Sequence, residues 1–122
     1  MTTPTFRKIL WASALFNIGG ALAFAFPATL GQLMGLPMPV PAIYSALLVM
    51  FILLFGGTYA WIAVQPQINR PMVVLGAIGK ICAFGVVFGF WLIGEAPVRG
   101  VLAASGDLFF ASLFFRWLRA TR

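Results

Sequence analysis

The chain has no histidine, one cysteine and two acidic residues, and each shortage closes a class of chemistry. Without histidine there is no Ser-His-Asp hydrolytic triad. Cys82, Glu95 and Asp107 are too few donors for a metal site, so neither a metal nor a cofactor is expected. A lone cysteine permits no internal disulfide, and Cys82, inside an apolar run, reads as small apolar filler. No glycine-rich phosphate loop ending in Lys-Ser/Thr occurs; Gly76-Ala-Ile-Gly79-Lys80 simply continues an apolar run. Ser105-Gly106-Asp107 reads as helix packing, not as a nucleophile, and no enzymatic activity is expected.

Charge itself is scarce. Only 8% of the 122 residues are charged and 62% are hydrophobic, against about 25% charged in a soluble domain. The mean hydropathy is +1.04. Such a composition cannot solvate a protein surface, so the expected solvent is lipid. Eight Lys+Arg against two Asp+Glu give a net charge of +6. The bases cluster at the ends of apolar runs, not in a stripe interleaved with aromatics, which argues against nucleic acid. At such ends they set orientation and meet anionic headgroups.

What is there in abundance is long apolar sequence. Four runs, at residues 9–26, 42–64, 72–93 and 98–115, each match the length that crosses a bilayer core, about 20 residues. Short turns join the later ones, Gln65-Pro-Gln-Ile-Asn-Arg70-Pro71 and Gly94-Glu95-Ala96-Pro97, which makes neighbours antiparallel. The expected fold is all-α: one domain over 1–122, an integral membrane antiparallel four-helix bundle. The first run resembles a signal peptide, with basic Arg7 and Lys8 and an Ala23-Phe24-Ala25 site, but it is long for such a core and reads as helix 1. The Pro- and Gly-rich stretch 27–41 reads as a short surface helix carrying Leu30, Leu33, Met34 and Leu36, ended by Pro37, Pro39 and Pro41. No segment alternates as a barrel strand would, and no internal repeat stands out between the halves.

Orientation follows from the bases. Arg7, Lys8, Arg70, Arg116, Arg119 and Arg122 fall on the side shared by the termini and the middle hairpin; Arg99, beside Glu95, stands alone opposite. The positive-inside rule then puts both termini in the cytoplasm. Trp11, Trp61, Trp91 and Trp117 lie near span ends, as interfacial anchors do. Glu95 and Arg99 read as a solvated pair of little worth.

Each helix also carries a polar or small element at a common depth. Asn17, Lys80 and Asp107 lie nine or ten residues from Lys8, Arg70 and Arg116, and Gly56-Gly57-Thr58 lies similarly far from Gln65. At 1.5 Å per residue that is roughly 14 Å in from the boundary, near the midplane. Small residues share the faces: Ser13, Ala14, Gly20 and Ala21 with Asn17; Gly76, Ala77 and Ala83 with Lys80; Gly100, Ala104 and Ala111 with Asp107. A charge at the bilayer centre costs about 2.5–3.5 kcal/mol. A Lys80–Asp107 contact, with Asn17 or Tyr59 in reach and Thr58 nearby, would relieve it. Counted from the Gly94–Pro97 turn, Lys80 lies roughly 6 Å deeper than Asp107. The flexible lysine then spans part of this gap and a water the rest, or Lys80 snorkels while a protonated Asp107 pairs elsewhere. Gly56, Gly57 and Gly76 are expected to pack helices, and Gly85-x-x-x-Gly89 to meet a neighbour or a second copy.

Arg70-Pro71-x-Val-Val-Leu-Gly76-x-x-Gly79-Lys80, followed by Gly106-Asp107-Leu-Phe-Phe-Ala111-x-Leu-Phe-Phe, resembles small uncharacterised bacterial four-helix membrane proteins and, more distantly, the DoxX-like group. The resemblance implies a bacterial inner membrane and, through some DoxX-like members, quinone- or thiosulfate-linked electron transport. Three candidate functions emerge. The first is a non-catalytic accessory or assembly subunit, in a homo-oligomer or larger membrane complex, whose polar layer is structural. The second is a small proton-coupled transporter using Lys80 and Asp107. The third is a redox accessory that binds quinone or a small apolar ligand beside Tyr59 and Lys80.

Overall fold

In the computed structural model, which describes residues 1–37 and 39–122, the chain is all-helical, with four long helices in the order α1 (Thr3–Ala25), α2 (Ala42–Val64), α3 (Arg70–Leu92) and α4 (Val98–Ala120). Each is long and apolar enough to cross a membrane. The helices outrun the apolar runs at the basic end. α1 starts at Thr3, where the Thr2 hydroxyl accepts from the Thr5 amide, and α4 continues through Arg116 and Arg119. Arginine and lysine are good helix formers, so loss of hydropathy does not end a helix.

The expected surface helix takes another form. Pro27–Gly31 is a single π-helical turn, closed by Gly31 N–H donating to the Phe26 carbonyl, and Met38 of this stretch lies outside the described residues. Pro27 cannot continue α1 because it lacks an N–H. Two turns close with a glycine at positive φ. Leu36 N–H donates back to Gly31 O around Gly35 (φ 82°), and Glu95 N–H to Phe90 O around Gly94 (φ 79°). Both are six-to-one closures of the Schellman type. Gly35 sits hard against the start of α4, where an added Cβ would lie 2.7 Å from the Gly100 nitrogen. Arg99 Nε donates to the Gln32 carbonyl at the same junction. The expected Glu95–Arg99 pair does not form; the one ion pair among the described residues is Lys80–Asp107.

Packing divides the bundle into two hairpins, α1 with α2 and α3 with α4, joined more sparingly through α1–α4 and α2–α3. The second hairpin repeats the first. Arg7, near the start of α1, donates to the Ala63, Gln65 and Pro66 carbonyls at and beyond the end of α2. Arg70, the first residue of α3, donates to Leu118 O, Thr121 O and Thr121 Oγ1 at the end of α4. Helix C-termini present unpaired carbonyls and partial negative charge, so a guanidinium satisfies both needs. The buried positions keep the same register: Leu10 and Val73, Ser13 and Gly76, Ala14 and Ala77, Asn17 and Lys80 each stand as far apart as Arg7 and Arg70. The sequence hides this repeat because, of these buried pairs, only Ala14 and Ala77 match in identity.

The core lies at the basic end. Phe6, Leu10, Ile62, Val73 and Phe114 are fully buried there. The Phe6 ring stacks on Trp117 at 4.5 Å and meets Phe114 edge-on at 5.6 Å. Trp117 is therefore a core residue, 4% exposed, not an interfacial anchor; Trp11, Trp61 and Trp91 are exposed as expected. Toward the other end, α2 and α3 turn mostly apolar, exposed faces outward.

Replacing Gly35 by alanine should cost about 1–2 kcal/mol from the left-handed backbone alone, and more from the Gly100 contact. Gly57→Ala, in the interior of α2 where a Cβ meets nothing within 4 Å, should instead stabilise by roughly 0.5–1 kcal/mol. Thermal unfolding in detergent compares the two.

Candidate functional site

Lys80 sits near the middle of α3, on the helix face that Gly76 and Ala77 keep narrow. Gly76 is needed there, since a Cβ would stand 2.8 Å from the Tyr59 ring. The lysine side chain is 2% exposed, and its ammonium donates to Asp107 Oδ1 at 3.1 Å and to Asn17 Oδ1 at 3.4 Å. The contact with Asp107 is direct. The depth difference counted from the Gly94–Pro97 turn is absorbed by the long lysine stem, so neither a bridging water nor a snorkelling lysine is required.

Asn17 ties a second knot. Its amide donates to the Ile52 carbonyl at 3.0 Å, and its Cβ would meet a Cβ on Gly56 at 3.0 Å. Asn17 thus holds α2 with one end of its amide and the lysine with the other. α1 and α3 have no direct backbone contact, so Lys80 spans the diagonal of the bundle.

The composition gave no hint of the rest of the enclosure. The ammonium lies 4.8 Å from the centre of the Tyr59 ring and 5.3 Å from those of Phe16 and Phe110. Each of the other three helices therefore gives Lys80 one aromatic face, and ring quadrupoles attract a desolvated cation. Phe16 reaches this position because residue 106 is glycine: a Cβ there would collide with the ring. With phenylalanine so frequent, position alone could not single out Phe16 and Phe110.

No family model, no curated protein and no solved structure matches this chain. Of the residues expected at this layer, Lys80, Asp107 and Asn17 converge as hydrogen-bonded partners, and Tyr59 joins through its ring rather than its hydroxyl. Thr58 does not join. Its hydroxyl donates to the Leu54 carbonyl within α2, the local bond that β-hydroxyl residues make in helices. Gly56 and Gly76 are packing positions. Gly57, Gly85 and Gly89 meet nothing within 4 Å and pack no helix inside the chain. Ala83, expected on the inner face, is exposed, whereas Ser13, Ala14 and Ala21 are buried beside Asn17 as expected. Cys82 is exposed on the outside of α3. Among the described residues no three His, Cys, Asp or Glu side chains converge.

Chemically, the site is a cation held by one carboxylate, one amide and three rings. Asp107 keeps some freedom: its side chain is 22% exposed, and Oδ2 has no partner among the described residues. Removing one member of a buried pair leaves the other uncompensated, at about 3–5 kcal/mol. Asp107→Leu should therefore destabilise more than Lys80→Met, because the ammonium is the more enclosed of the two. The double variant should lose less than Asp107→Leu alone. A double-mutant cycle on unfolding free energies measures this; additive losses would show that the pair does not interact.

Proposed function

We propose that this protein is a small multi-pass membrane protein that works by assembly rather than catalysis, as an accessory subunit or part of a homo-oligomer, with Lys80–Asp107 as a structural clasp. One observation carries the reading: the Lys80 ammonium is saturated by groups from all three other helices, with two hydrogen bonds and three ring faces. A group so enclosed fixes which helices are neighbours and at what height. It has no face left for a substrate.

The membrane setting rests on the four spans and on the scarcity of charge. The excess of bases at one end supports cytoplasmic termini. The resemblance of helices 3 and 4 to small bacterial proteins of DoxX-like layout supports a bacterial inner membrane. The quinone reading is weaker, since Tyr59 is buried against Gly76, Phe114 and Lys80. A proton-coupled carrier is the second reading, favoured by the partly exposed carboxylate of Asp107.

In mild detergent the full chain should travel in a particle larger than one copy, and Lys80→Met/Asp107→Leu should preserve that particle. A monodisperse single chain would count against assembly. A carrier instead predicts that Asp107→Asn abolishes proton-coupled flux into proteoliposomes while insertion is retained. Reporter fusions at the C-terminus should be active in the cytoplasm, and fusions within the 94–97 turn outside it.

A further inference from the structure

The two acids of the chain are Glu95, at the loop-rich end, and Asp107, already engaged by Lys80. Among the described residues Arg116, Arg119 and Arg122 make neither an ion pair nor a side-chain hydrogen bond. An exposed arginine needs no protein partner, because water serves. These three, however, surround shaped space. A cavity of about 220 Å³ lies between the first turn of α3 and the last turns of α4, lined by Arg70, Val74, Phe115, Leu118, Arg119 and Arg122. A second, open depression of about 660 Å³ is lined by α4 alone, through Ser112, Phe115, Arg116, Arg119 and Ala120.

The chemistry of the pair is two-sided. Guanidinium-bearing Arg70, Arg119 and Arg122 line the smaller cavity together with apolar Val74, Phe115 and Leu118. Arg70 is immobilised by its bonds to Leu118 and Thr121 and by the Trp117 ring 5.5 Å away, so one wall of the smaller cavity is rigid. Beside the arginines runs a mainly apolar track: Leu108, Ser112, Phe115 and Arg119 share one face of α4, and exposed Val74 and Ile78 share one of α3. From Arg119 to Leu108 the track runs roughly 16 Å, close to half of a bilayer core of about 30 Å. A compact anion would use the arginines and leave the track bare. A molecule with a phosphate at one end and a hydrocarbon tail at the other would use both, and arginine forks match phosphate oxygens in pairs.

We propose that the α3–α4 groove at the basic end is a binding site for an anionic phospholipid, its phosphate held by Arg119 and Arg122 beside Arg70 and its acyl chain lying along Phe115 toward Leu108. The proposal rests on the membrane reading above and adds a defined site to it. Orientation by positive charge requires only that bases lie at one end; a site requires these bases and not others.

The experiment uses the full chain in detergent and in vesicles. Lipid retained on the purified protein is counted by native mass spectrometry after exposure to phosphatidylglycerol or phosphatidylcholine, with inorganic phosphate as competitor. Arg119→Gln is compared with Lys8→Gln, which removes the same charge from the same end of the bundle at an exposed position outside both cavities. Phosphatidylglycerol should be retained in preference to phosphatidylcholine. Arg119→Gln should weaken its retention by roughly tenfold or more, the scale of a lost charge-assisted contact. Lys8→Gln should change it less than twofold, and millimolar phosphate should not displace the lipid. Equal losses in the two variants would overturn the site in favour of general surface attraction, and displacement by phosphate would make the ligand a free anion. Failure to enter vesicles of either lipid would overturn the membrane reading and the site with it. Entry into both without selective retention would overturn the site alone. Should Arg119→Gln prove unstable, Arg122→Gln carries the same expectations.

Discussion

A lysine ammonium removed from water must be compensated from all directions at once, and at residue 80 the compensating groups come from all three other helices. The carboxylate of Asp107 lies on α4, the amide of Asn17 on α1, and the ring of Tyr59 on α2. Other sequence choices serve that cation. Gly76 clears the space that Tyr59 occupies, and Gly106 does the same for Phe16. Gly56 admits Asn17 against α2. Apolar helices slide past one another at little cost; a saturated cation does not, because any slip leaves a charge unpaired in a medium that cannot solvate it. On the structural reading proposed above, the clasp would contribute uniqueness of arrangement more than net stability, for buried ion pairs often add little to stability.

Much of this was legible in the residues. Hydropathy located all four helices, and the scarcity of charge made Lys80 and Asp107 conspicuous as partners. What the sequence could not convey was direction in space. Depth counted along a straight helix gave a gap between Lys80 and Asp107 that the lysine stem closes. Thr58 stood at the right depth, yet its hydroxyl satisfies itself within α2. Trp117 stood at a span end, yet its ring faces Phe6 inside the core. The aromatic faces around Lys80 were hidden for the opposite reason: phenylalanine is so frequent that its placement at Phe16 and Phe110 carried no signal. Arginines at span ends read as charge alone, although Arg7 and Arg70 act as hydrogen-bond donors to particular carbonyls.

The bundle is unevenly built. Large side chains interlock at the basic end, where Phe6, Phe114 and Trp117 meet. Toward the other end the two hairpins hold mainly within themselves, and the contact of Gly35 with Gly100 bridges them on the α1–α4 side. The clasp lies between these regimes, with its cation at the boundary between a dense half and a loose one.

The paired arginine latches bear on the order in which the molecule is made. The first is complete once Pro66 is in place and needs no later residue; the second joins Arg70 to Leu118 and Thr121 and needs no earlier one. As the polypeptide is synthesised, the leading hairpin can close while its successor is still unmade. In that order the bond from Lys80 to Asn17 would form last, as two finished halves dock, and an error in that step would leave each half locally intact but wrongly partnered.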